Sequence, residues 1–107
     1  MSRFENELTL VDARAATGAK WFDKNYPGWH QAIDRAQLDI SDDCHCVVGQ
    51  IAGSFNDCAK DFFRKLKDRV EHGVLIPQIT MNVDQYDQYY DAITEAWNRE
   101  IEQRMAA

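Results

Sequence analysis

Residues of the kinds that ligate metals or act as nucleophiles stand together at Cys44, His45 and Cys46. They lie inside the stretch Ser41-Asp-Asp-Cys-His-Cys-Val-Val-Gly-Gln-Ile-Ala-Gly-Ser-Phe55. With Cys58, His30 or His72 as a fourth donor, they would complete a tetrahedral zinc shell. Structural zinc sites are usually built from two ligand pairs with two to four residues between pair members, whereas this chain offers a single Cys-x-Cys. Distance adds a condition. One helix from Cys46 to Cys58 would rise about 18 Å, so Cys58 meets Cys46 at a metal or in a disulfide only if the chain turns back near Gly53. The expectation is therefore reduced, structural thiols and no cofactor, with a zinc-binding or redox module centred on Cys44, His45, Cys46 and Cys58 as the alternative.

A nucleophilic cysteine would use the start of a helix to lower its pKa and His45 as its base. Adjacent side chains rarely aim at each other, and Asp42 and Asp43 oppose a thiolate. The chain carries no Gly-rich phosphate loop, no recognisable hydrolase motif and no spaced pair of acid–base carboxylates. A non-enzymatic protein is expected. The remaining constellation is electrostatic: Asp84, Asp87, Asp91, Glu95 and Glu102 recur along one side of a C-terminal helix pattern. Such a line is either a solvated face or a surface that docks onto a basic partner or imitates nucleic acid. Asp84, Asp87, Asp91 and Glu95 are the candidate partner-binding residues. The basic run Arg64-Lys-Leu-Lys-Asp-Arg69 divides around a helix and is diluted by Asp61, Asp68 and Glu71, so it is read as a solvated face.

The elements that would position these residues are helical. Leu8, Val11, Ala15, Gly18, Trp21 and Phe22 recur at three- and four-residue steps and predict a helix from Leu8 to Lys24. Asn25-Tyr-Pro-Gly28 ends it. Trp29 and Ile33 predict a short helix over 28–35, with Leu38 and Ile40 extended after it; Trp21 and Trp29 read as core anchors near one corner. Ser41, Asp42 and Asp43 are helix-capping types and predict a helix start there, burying Val47, Val48, Ile51 and Phe55. Gly49 and Gly53 each cost about 1 kcal/mol of helix propensity against Ala, which implies close packing, such as a helix from a second subunit, or a break. An interruption is expected near 53–56, where Ser54 through Asp57 also reads as a capping box. The spacing of Cys58, Phe62, Leu66 and Val70 predicts one helix over 57–72, closed by Gly73. Residues 74–83 lack a helical period and are expected to form an ordered, partly buried connection. The last helix is predicted from Val83 or Asp84 to Arg104, burying Tyr86, Tyr89, Tyr90, Ile93, Trp97 and Ile101.

Composition bounds the whole. With 107 residues, 45% hydrophobic and 11% aromatic, the chain is expected to be one domain over 1–107, burying roughly 65% of its unfolded surface. Eighteen acidic against twelve basic residues, a net charge of −6, disfavour direct binding to nucleic acid. No run reaches the roughly 20 apolar residues a membrane span needs, the first residues lack the apolar core of a signal peptide, and three cysteines form no disulfide framework. A cytoplasmic protein is expected. The fold class is all-α, a compact bundle of four to five helices.

The segments Gly18-Ala-Lys-Trp-Phe-Asp, Tyr26-Pro-Gly-Trp-His, Leu38-Asp-Ile-Ser, Cys44-His-Cys-Val-Val-Gly-Gln, Gly53-Ser-Phe, Glu71-His-Gly and Tyr90-Asp-Ala-Ile-Thr-Glu-Ala-Trp occur in this order. On them, residues 18–104 resemble an uncharacterised family of small proteins from actinobacteria and their bacteriophages. The resemblance implies a phage or prophage setting and the host cytoplasm, and transfers no catalytic residue. Cys58 does not belong to the family pattern, which weakens a three-cysteine site. Together these readings lead to an expected small, non-enzymatic protein that binds a host or phage protein as an inhibitor or regulator, with no membrane contact and with homo-oligomers allowed. An acidic nucleic-acid mimic is the further alternative.

Overall fold

A computed structural model describes residues 2–107. It is all-α, and no strand occurs among the described residues. Among the described residues seven helices replace the expected four to five: α1 (Arg3–Leu8), α2 (Val11–Asn25), α3 (Trp29–Ala32), α4 (Val47–Ala52), α5 (Phe55–Phe62), α6 (Leu66–Glu71) and α7 (Val83–Ala106). One extra helix, α1, lies ahead of the first predicted pattern: Ser2 caps it by accepting the Glu5 N–H at 3.1 Å, and it ends at Thr9, whose hydroxyl folds onto the Asn6 carbonyl at 2.6 Å. The other comes from a break inside a pattern. The predicted helix over 57–72 is divided at Phe63, which is extended at φ −137° and ψ 110°. This break lets the neighbours Phe62 and Phe63 both reach Trp21, with ring centroids 5.9 and 4.7 Å away. It also changes the helical phase, so Leu66 is exposed rather than buried.

The core forms where α2 and α7 lie side by side. Arg14 meets Tyr89, Gly18 meets Trp97 and Asp23 meets Arg104, so contacts advance together along both helices and the two run in the same sense. Trp97 is fully buried at the centre. Its indole N–H donates to the Gly73 carbonyl at 2.8 Å, and its ring lies edge-on to Trp29 and Phe22. Gly18 is required there, because a Cβ would stand 2.1 Å from the His72 carbonyl oxygen and 2.7 Å from the Trp97 ring. Trp29 is a core anchor as expected, and Trp21, half-buried, packs against it through Phe22.

Gly73, at φ 71°, closes α6 with two bonds, its own N–H to the Val70 carbonyl and that of Val74 to Arg69. Together they satisfy carbonyls that a helix end leaves free. The segment after it has no regular structure, yet buries Val74, Pro77 and Met81. It delivers the chain to Asn82, whose side chain accepts from the Gln85 N–H at 2.9 Å while Gln85 returns the bond at 3.0 Å, fixing the start of α7. Tyr89, Ile93, Trp97 and Ile101 are buried as predicted. Tyr86 is not: it is 36% exposed. No helix is long and apolar enough to cross a membrane among the described residues.

Candidate partner-binding face

The stretch around Cys44–Cys46 is a turn rather than the beginning of a helix. Ser41, Asp42 and Asp43 do not cap α4; Cys46 does, its sulfur accepting the Gly49 N–H at 3.2 Å. The aspartates are engaged elsewhere. Oδ1 of Asp42 accepts the N–H groups of Cys44 and His45 at 2.9 and 3.1 Å, closing the turn locally. Asp43 instead reaches across to α5: its carboxylate takes the Asn56 N–H at 2.6 Å and the Ser54 hydroxyl at 2.9 Å, and its backbone carbonyl takes the Phe55 N–H. Ser54 in turn accepts from the Asp57 N–H at 3.3 Å. All three N–H groups of the first turn of α5 are therefore satisfied.

The two glycines divide the labour. Gly49 permits close approach, but by this chain's own turn: a Cβ there would lie 2.3 Å from the Asp43 carbonyl oxygen and 2.7 Å from the carbonyl carbon of Cys44. No room remains at Gly49 for the helix of a second subunit. Gly53 has open space beside it and is needed for its φ of 102°, which turns the chain from α4 into α5.

That turn does bring α5 back, yet the thiols are not gathered. Cys44 is exposed, Cys46 faces the start of α4, and the Cys58 thiol donates to the Ala52 carbonyl at 3.7 Å; all three are free. Burial pushes the Cys46 thiol up to about 11, so it is protonated at neutral pH. His45 pairs with Asp42 at 3.0 Å. His72 lies elsewhere, stacked on Phe63 with its Nδ1–H donating to the Asp68 carbonyl, and His30 packs beside Trp29. Among the described residues no three His, Cys, Asp or Glu side chains converge as a metal-holding group.

What the turn does assemble is a continuation of the acidic stripe of α7. Asp84, Asp87, Asp91, Glu95 and Glu102 are all exposed. Glu95 pairs with Arg99 and Glu102 with Arg35, whereas Asp84, Asp87 and Asp91 have no ion-pair partner among the described residues. The 38–43 segment is fastened alongside by the Ile40 N–H, which donates to the Thr94 hydroxyl at 3.0 Å. Gln50 secures the preceding turn, accepting the Asp34 N–H at 2.7 Å and donating to the His45 carbonyl at 3.0 Å.

Two hollows result on either side of this seam. One, about 310 Å³, runs between Leu38 and Asp39 on the loop and Asp91, Thr94, Glu95 and Asn98 on α7. The other, about 210 Å³, is the more enclosed. Its apolar walls are Ile40, Phe55, Val74, Leu75 and Tyr90, and its polar lining is Ser41, Asp42, Asp43 and Asn56. Burial, then Tyr86 and Asp39 nearby, raise the Tyr90 phenol above its ordinary value. Hydrogen bonds from Cys44 and His45 lower the Asp42 carboxyl, which stays ionised. The arrangement is one anionic face, running from Asp84 along α7 and across to Asp39, Asp42 and Asp43. By residue type the loop half of this face suggests helix capping; its signal in the sequence is the density of aspartate over 39–43.

No family model, curated protein or solved structure matches this chain.

Proposed function

We propose that this protein acts by binding another protein that presents a basic surface, and that it does so through the anionic face made by α7 and the 38–43 loop. One observation carries the reading: Asp84, Asp87 and Asp91 stand exposed along one side of a rigid helix with no intramolecular cation opposite them among the described residues. A solvated helix face more often interleaves opposite charges, as Glu100 and Arg104 do at 3.1 Å on the same helix. Unpaired charge of one sign accelerates encounter with an oppositely charged partner and selects against acidic ones. The resemblance to proteins of actinobacteria and their phages supports a host or phage protein as the target and inhibition or regulation as the outcome, without catalysis by this chain.

The regular spacing of the carboxylates, about one helical turn apart, also suits a target whose own ligand is nucleic acid, in which case the face imitates phosphates. The test is affinity capture near physiological salt with the wild-type protein and with Asp84, Asp87 and Asp91 all changed to Asn. The reading expects a stoichiometric partner on the wild type and its loss from the variant; equal capture by both refutes it. Release of that partner by short DNA or RNA identifies the mimic case.

A further inference from the structure

We propose that the enclosed hollow beside Tyr90 is a socket for one arginine or lysine side chain of a basic partner. This rests on the reading above and adds the anchoring contact. Cofactor and drug-sized sites run from about 300 to 1,000 Å³. At about 210 Å³ this hollow suits a single long side chain.

Its lining has two kinds of surface. Ile40, Val74 and Leu75 offer apolar wall for a methylene stem, while Phe55 and Tyr90 add aromatic rings on which a guanidinium or ammonium group rests favourably. Asp42 and Asp43 supply two carboxylates within the same lining. Their bonds come from backbone N–H groups, the Ser54 hydroxyl, the Cys44 thiol and His45, and among the described residues no lysine or arginine pairs with either one. Those bonds hold the carboxylates in place. A cation on an apolar stem matches both the carboxylates and the apolar wall, whereas an anionic occupant meets like charge.

The test is a titration of isotopically labelled protein followed by amide NMR, to roughly 50 mM, because a lone side chain binds in the millimolar range. The probes are N-acetyl-arginine amide and N-acetyl-lysine amide, with N-acetyl-norleucine amide as the uncharged stem and guanidinium chloride as the stemless charge. Saturable shifts at Ile40, Phe55, Val74, Leu75 and Tyr90 with the two cationic amides, and at least about tenfold weaker effects from the controls, are expected. Asp42→Asn keeps the acceptor that closes the turn and should weaken binding about tenfold. Ser41→Lys, an exposed change that places a fixed cation beside the hollow, should do the same, and the remaining spectrum of each variant reports that the fold is intact. Norleucine binding as well as arginine, indifference to both substitutions, or no saturable shift overturns the socket. A partner captured equally by Asp42→Asn overturns it while leaving the proposed function standing; saturable arginine binding without any protein partner does the reverse.

Discussion

The Asp43 carboxylate accepts the backbone N–H of Asn56 at 2.6 Å, so a residue in the turn before α4 caps the helix that follows it. This clasp fixes the elbow between α4 and α5 and sets the height of the loop against α7. The anionic face depends on it.

Removing the clasp should cost stability. Hydrogen bonds to charged groups are worth about 1.5–3 kcal/mol each, and Asp43→Ala leaves the first turn of α5 short of its acceptor. A loss of about 2–3 kcal/mol in urea denaturation is expected, with Asp43→Asn losing less because one acceptor oxygen remains. Equal stability of wild type and Asp43→Ala contradicts this account of the elbow.

The two glycines of this region should respond differently to alanine. At Gly49 the added methyl meets backbone of the Asp43–Cys44 turn, which cannot swing aside, so overpacking of about 1–3 kcal/mol outweighs the gain in helix propensity. Gly53→Ala meets no atom and costs only its left-handed backbone strain, about 1 kcal/mol or somewhat more. Gly49→Ala should also shift the NMR signals of 41–46, and Gly53→Ala should leave them closer to the wild type.

The thiols give a chemical readout. Cys44 is exposed, while Cys46 is 1% exposed with its thiol raised to about 11. An alkylating reagent at pH 8 should label Cys44 in the native protein and reach Cys46 only on unfolding, as peptide mass analysis after timed quenching would show. Early labelling of Cys46 would contradict its place as the cap of α4.

A charge network at the far end of α7 makes stability depend on pH. Arg104 grips both oxygens of Asp23 at 2.8 Å, and the Trp29 indole N–H donates to the same carboxylate at 2.9 Å. Hydrogen bonding to Arg104, ahead of that to Trp29, lowers the Asp23 carboxyl below its ordinary value of 3.8. A lowered folded-state value stabilises the fold at every pH above 3.8, and the contribution is lost as pH falls from there through the folded value. Asp23→Asn should therefore be less stable than wild type by the same margin at pH 7 and pH 5. The margin should close below about pH 4 in urea melts.

How far these features were legible in the residues depends on the range of the contacts behind them. The last helix was readable almost to its ends, because Tyr89, Ile93, Trp97 and Ile101 keep one period and Asn82 with Gln85 forms a local cap. The break at 53–56 was readable too, from Gly53 and Ser54 acting within four residues. The break at Phe63 was not, since the contacts it serves, of two adjacent aromatics with Trp21, lie some forty residues away. Asp43 followed the same logic: its type suggested a cap for the next helix, and it caps the one after, which only the folded elbow makes adjacent. Along α7 the acidic stripe was legible from spacing alone. Its extension through Asp39, Asp42 and Asp43 was hidden, because the Ile40–Thr94 bond that joins loop to helix spans 54 positions.

The central claim, that this face grips a basic partner, is tested most directly by the salt dependence of the affinity between the purified protein and its captured partner. Dissociation constants should be measured by calorimetry from low to high ionic strength, for the wild type and for the variant with Asp84, Asp87 and Asp91 changed to Asn. The account predicts wild-type affinity falling steeply as the Debye length shrinks from about 30 Å at 0.01 M to about 3 Å at 1 M salt, and a weaker, much flatter response from the variant. Affinity that is indifferent to salt and unchanged by the three substitutions would contradict it.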